Sequence, residues 1–117
     1  MNDGQPVFNA TAALARLGGD TRLFKDLIGF LQEDGPGMLV KLRDAISQAN
    51  AEQVARTAHK LKGLVVNFDA HPTAAAAQQL ESMGLANDLT GAPAEVELLA
   101  THLAELQRQL REYLAQA

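Results

Sequence analysis

Residues 50–70 read NAEQVARTAHKLKGLVVNFDA, and the spacing within this stretch decides the fold. Asn50 is a capping residue by type, because its side-chain oxygen can accept from an orphan backbone N–H of the first turn. Glu52 and Gln53 follow in that turn. Val54, Ala58, Leu61, Val65 and Phe68 then recur three and four residues apart, which puts them on one face of an amphipathic helix. A helix with one apolar face must bury it against other elements. The flanking sequence supplies them.

Upstream, Asn9 or Thr11 opens a short helix that runs to about Leu17 and is stopped by Gly18 and Gly19. Asp20 is the next cap, and Leu23, Leu27, Phe30 and Leu31 follow at helical spacing. Gly35-Pro36-Gly37 interrupts this run, but Met38, Leu39, Leu42, Ala45, Ile46 and Ala49 resume it at once. A proline suits either a new start or a kink within a rod; we read one bent rod over residues 20–48. Downstream, His71-Pro72 ends the first stretch, since proline disfavours helical backbone at the residue before it. A helix beginning near Pro72 and Thr73 carries Ala77, Leu80 and Met83 inward and fades over residues 84–88. Residues 87–93 form a loop by composition. The last helix covers residues 94–115, with Val96, Leu99, Leu103, Leu106, Leu110 and Tyr113 forming a bundle seam. The expected fold is all-α: an antiparallel up-down-up-down four-helix bundle with a short extra N-terminal helix laid across it. One domain is expected over residues 1–117, the short helix at about 9–17 and the bundle at about 20–115.

Composition agrees and excludes several function classes. The 117 residues are room for one domain, and few are β-branched or aromatic, which favours helices. Ten basic against fourteen acidic residues leave a net charge of −4, a poor basis for neutralising nucleic-acid phosphates. Cysteine is absent, which excludes disulfides, thiolate metal sites and thiol nucleophiles. The opening MNDGQPVF lacks the basic and apolar character of a signal peptide, and no apolar stretch approaches a membrane span. The expected address is the cytoplasm, and the starting Met fits a free-standing protein.

Two residues on the 50–70 helix stand out. His59 follows the inward-facing Ala58, so it lies about 100° away from the core face. Gly63 sits in mid-helix, where it costs about 1 kcal/mol relative to Ala. His59, Lys62, Gly63 and Val66 share one stripe. A helical glycine beside an exposed imidazole makes sense if a bulky group must approach the ring closely. Lys62 puts positive charge where an anion on His59 would sit, and Arg56 and Lys60 lie nearby. Three of the ten basic residues thus form a small cationic spot in an acidic chain. A solvated histidine and a packing glycine are the plain alternatives. His71 and His102 complete no metal-ligand pattern, so no metal site is expected. No phosphate loop, nucleotide-binding signature or nucleophile elbow is present, so no kinase activity is expected. Gln78 and Glu81 can face His59 from the next helix, and bundle phase decides which does.

The segment AHKLKG, followed by an apolar turn and Ala70, resembles the H-x-L-K-G core of the histidine-containing phosphotransfer (HPt) domain. GDTRLFKDLIGFLQED (residues 19–34) resembles that family's first bundle helix. MLVKLRDAISQANAEQVARTAHKLKG (residues 38–63) is similar to its run into the phosphorylated helix. Ala77, Leu80 and Glu81 resemble its Ala-x-x-Leu-Glu, so the resemblance covers about residues 18–115. Two departures are Asp69, where the family usually has Gly, and the bulkier Leu64-Val65-Val66.

The resemblance implies that His59 accepts a phosphoryl group from a receiver-domain aspartate and passes it to another receiver in a two-component phosphorelay. It implies that Lys62 and Gly63 serve the transfer. Arg56, Lys60, Leu64, Val66, Phe68, Gln78 and Glu81 are then the candidate partner-facing residues. The implied partners are response-regulator receiver domains and a hybrid sensor histidine kinase, with no nucleic acid and no membrane. No cofactor is expected on this chain, Mg²⁺ being brought by the receiver, and a monomer is expected. The competing reading is a helical adaptor that binds a receiver or kinase without passing phosphate, and Asp69 is its one hint.

Overall fold

The computed structural model describes residues 6–116; residues 1–5 and 117 of the expected domain lie outside the described residues. Five helices appear in order, α1 (Ala10–Arg16), α2 (Thr21–Ser47), α3 (Ala51–Val65), α4 (His71–Leu85) and α5 (Ala92–Gln116), with a 3-10 turn at Val66–Phe68. No strand occurs among the described residues.

Capping chemistry fixes the starts. Asn9, Asp20 and Asn50 each accept, through a side-chain oxygen, a backbone N–H three residues on, at 3.0, 3.0 and 3.1 Å. Gly18 and Gly19 stop α1 with φ of 68° and 79°, a left-handed conformation that glycine takes at no steric cost.

The expected rod over residues 20–48 is one uninterrupted helix, α2, with Pro36 inside it. Proline has no N–H for the turn before it. At that level α5 reaches across: the Gln107 side chain donates to the Leu31 carbonyl at 3.2 Å, and Gln32 donates to the Gln107 carbonyl at 3.1 Å. Gly35 makes room for this exchange, because a Cβ there would stand 3.1 Å from the Gln107 amide nitrogen. The inward row on α2 differs from the expected one. Phe24, Ile28, Leu31 and Leu42 are buried, whereas Leu23 and Phe30 are 40% and 52% exposed. The apolar pattern in this half of α2 is wider than its buried stripe, so spacing alone set the phase one residue off.

The face read from residues 50–70 is inward as expected: Val54, Ala58, Leu61, Val65 and Phe68 are all fully buried. The break after it comes at Asp69, not at His71-Pro72. Asp69 takes the left-handed conformation (φ 56°, ψ 39°), and Pro72 is accommodated in the first turn of α4, where its missing N–H costs nothing. The seam of α5 is buried from Val96 to Leu110, and α5 starts at Ala92.

The helices α2, α3, α4 and α5 close a ring of contacts, each packed on the next and α5 back on α2. Phe24 of α2 packs at a tilt on Phe68, ring centres 5.8 Å apart, and edge-to-face on Tyr113 of α5 at 5.4 Å. The closest approach is between α3 and α4. A Cβ on Gly84 would lie 2.6 Å from both the Ala51 carbonyl oxygen and the Ala55 nitrogen. Only glycine permits that approach, and sequence spacing did not single Gly84 out. α1 lies outside the ring against the Val66–Phe68 turn and α2. No helix is long and apolar enough to cross a membrane among the described residues.

Candidate functional site

The close α3–α4 crossing brings His59 and Lys62 of α3 to Glu81 and Gln78 of α4. The Glu81 carboxylate bridges the two α3 residues: Oε2 is 2.8 Å from His59 Nδ1, and Oε1 accepts from Lys62 Nζ at 2.7 Å. Lys62 Nζ also donates to Gln78 Oε1 at 2.8 Å, and Gln78 donates on to Ser82 Oγ at 3.1 Å. Bundle phase is thereby settled. Glu81 faces the imidazole, and Gln78 reaches Lys62 but not the ring.

The electrostatics follow from this bridge. The Lys62 hydrogen bond, above all, holds the Glu81 carboxyl below its ordinary range; partial burial opposes it, and the His59 hydrogen bond and both nearby charges add to the lowering. An ionised carboxylate accepts and cannot donate, so His59 Nδ1 must carry the hydrogen. In the neutral ring that assignment leaves the lone pair on Nε2. The His59 side chain is 66% exposed while that of Glu81 is 13% exposed, so the anchored edge of the ring is covered and the free edge looks to solvent. No hydrogen-bond partner meets Nε2 among the described residues. The site can therefore present a fixed, neutral imidazole nitrogen as a nucleophile, with an anion behind the ring to meet positive charge that develops on it.

Gly63 lies on the same outer face, and a Cβ there would meet nothing within 4 Å. The glycine serves no internal packing, so the plain alternative for it is set aside. Arg56 is exposed and pairs with Glu52 one turn earlier at 3.3 Å. Lys60 is exposed on the side of α3 that borders α2. Leu64 is half-buried and Val66 is 43% exposed. Phe68 is a correction: it was expected at a partner-facing position but is fully buried against Phe24. Its place on the same apolar row as Val65, which the sequence already showed, is the reason. Leu23 and Phe30, part of the apolar periodicity read from the sequence, are exposed apolar ground on α2. His71 is exposed at the start of α4, 3.4 Å from Asp69, and His102 is half-buried on α5. Among the described residues no group of three or more His, Asp or Glu side chains gathers as a metal site.

Comparison with known proteins bears on this arrangement. The model of a protein family described as the Hpt domain matches residues 26–114. Among solved structures, the histidine-containing phosphotransfer protein B (HptB) of Pseudomonas aeruginosa PAO1 superposes with a TM-score of 0.87, at 20% identity, over 97% of this chain and 99% of that one. At that identity the likeness establishes the fold. A comparison with curated proteins returns no significant match.

Proposed function

The chain belongs to the Hpt domain family and serves histidine phosphotransfer in a phosphorelay, and we propose that His59 is its phosphoryl carrier. One observation carries the assignment: Glu81 holds Nδ1 at 2.8 Å and leaves Nε2 exposed. In the forward step, the Nε2 lone pair attacks the phosphorus of an acyl phosphate on a receiver aspartate. The N–P bond forms as the carboxylate oxygen–phosphorus bond breaks, and the aspartate leaves as a carboxylate. The ring keeps its Nδ1 hydrogen and becomes cationic, and the Glu81 anion stabilises that charge. Transfer to a second receiver reverses the same exchange. Lys62 spends two of its three N–H donors on Glu81 and Gln78. Its remaining donor is available to a phosphoryl oxygen. Such chemistry is mainly positioning and charge stabilisation.

Hpt domains work with receiver domains and histidine kinases. The finer proposal is that receivers land on the α3 face, over the open ground at Gly63, flanked by Arg56, Lys60, Leu64 and Val66. Phe30 and Leu23 extend the apolar part of that landing surface onto α2. A hybrid sensor kinase supplies the first receiver, the receiver brings Mg²⁺, and this chain is a cytoplasmic monomer of one domain. We read the helical ring as an up-down-up-down bundle. Short connections support this, as do the cross-links Arg43 to Glu97 and Gln32 to Gln107, in which residue numbers rise on α2 as they fall on α5. The test is incubation with a phosphorylated receiver. Acid-labile label should appear on this chain and vanish in His59→Gln; label retained in that variant overturns the assignment.

A further inference from the structure

Asp69 stands where a left-handed backbone is required, with φ of 56°. Glycine satisfies that geometry most cheaply, though Asp tolerates it better than most side chains do. The carboxylate must therefore be accounted for by what it touches. Arg16, the last residue of α1, spreads its guanidinium over two acceptors: Nη1 donates to the Val66 carbonyl at 2.6 Å, and Nη2 to Asp69 Oδ1 at 2.7 Å. The backbone N–H of Asn9, at the other end of α1, donates to the Phe68 carbonyl at 3.0 Å. Both ends of α1 are thus fastened to carbonyls of the turn that closes the His59-bearing helix, that of Val66 also accepting from the Asp69 backbone N–H at 3.1 Å. The Asp69 side chain is 15% exposed and that of Arg16 is 51% exposed. Arg16 holds the Asp69 carboxyl below its ordinary range, against the effect of burial.

Val66, whose carbonyl sits in this fork, is also the exposed end of the stripe that starts at His59. α1 consequently lies at the Val66 end of that stripe, packed on the Val66–Phe68 turn and α2. At seven residues α1 is far too short to be a stable helix alone. Its outward position depends on how it is fastened. Apolar contacts hold its inner side, where Ala13 is fully buried, and the fork holds its C-terminal end.

Resting on the function proposed above, we infer that Arg16 and Asp69 form a latch. It fixes α1 as a side wall of the receiver landing surface, so these two are positioning residues that set receiver affinity and choice and leave the chemistry at His59 untouched. Glycine at position 69 would keep the backbone and abolish the wall's fastening.

Asp69→Gly is a clean probe, because glycine accepts the same φ and the fold is safe. Three readouts are taken on the full chain: amide hydrogen exchange across α1, KM and kcat for phosphoryl transfer from a receiver, and direct labelling of His59 by phosphoramidate, a donor with no docking surface. In Asp69→Gly, exchange in α1 should quicken and the receiver KM should rise, each roughly two- to fivefold, the range that an exposed ion pair supplies. The kcat and phosphoramidate labelling should stay unchanged. Asp69→Asn keeps an acceptor oxygen and should fall between Gly and the parent. Arg16→Lys keeps the charge but lacks the two-pronged fork and should resemble Asp69→Gly. Unaltered exchange and KM in Asp69→Gly would overturn the latch, as would a fall in kcat or in direct labelling. Failure of the underlying function shows differently: the parent chain itself would take no label from receiver or phosphoramidate, while the exchange experiment would still judge the latch.

Discussion

A single carboxylate organises the proposed chemistry. Glu81 selects the ring hydrogen of His59 and at the same time ties down Lys62, so the three act as one unit. Removing His59 should cost function without cost to the fold, because the ring is mostly exposed. His59→Gln should keep its helical circular dichroism and melting temperature and accept no phosphate; a large loss of helix would make the histidine structural. Lys62→Ala should slow transfer by about 1–3 kcal/mol in the barrier, roughly fivefold to 150-fold, since a charge-assisted bond that matters in the transition state is lost. Receiver binding should change less than the rate, and equal rates would leave Lys62 with no part in transfer. The residues of this unit were legible in the sequence to different degrees. His59 and Lys62 stood out as an imidazole and a cation on one stripe. That Glu81, and not Gln78, would meet the ring was not legible, because it depends on the rotational phase of α4 against α3. The burial of Phe68 was legible, because it lies on the row of Val54, Ala58, Leu61 and Val65 that spacing already turned inward.

At the scale of elements, two glycines make the sharpest contrast. Gly63 faces open space and Gly84 sits 2.6 Å from the backbone of α3, measured from the Cβ it lacks. Gly63→Ala should raise stability by up to about 1 kcal/mol through helix propensity, seen as a higher melting temperature. Gly63→Gln should stay folded and lose receiver binding and transfer, because its side chain occupies the ground a partner needs. Gly84→Ala should destabilise by about 1–3 kcal/mol, the usual cost of overpacking against atoms that cannot move away, and should lower the melting temperature. A neutral Gly84→Ala would mean that α3 and α4 stand further apart than described. The helices themselves were readable from caps and spacing: Asp20 and Asn50 cap as expected, and Asn9 takes the place left open between it and Thr11. Gly84 was not readable, since close approach leaves no periodic mark. The inward row of α2 was misread for a related reason, with Leu23 and Phe30 as apolar as the residues that fill the core.

For the whole molecule, acid is the informative perturbation. Arg108, then Gln109, hold the Glu105 carboxyl down at about 2. Hydrogen bonds from Lys62, Arg43, Arg16 and Thr90 likewise lower Glu81, Glu97, Asp69 and Asp88 below their ordinary values. Each group binds its proton less tightly folded than unfolded, so the stability it contributes is complete above its unfolded value and disappears as pH falls through its folded value. Chemical denaturation should therefore show stability declining from about pH 4.5 towards pH 2, with little change between pH 6 and 8 from these carboxylates. A flat profile below pH 4.5 would mean that these pairs are not formed in solution. On the proposed function, the ring of four helices holds one imidazole at its surface with one nitrogen bound and the other free. The most direct test follows that claim to its atom. After transfer from a phosphorylated receiver, nitrogen and phosphorus NMR of ring-labelled protein should show the N–P bond at Nε2 of His59, with Nδ1 still carrying its hydrogen. A bond at Nδ1, or on His71 or His102, would contradict the account.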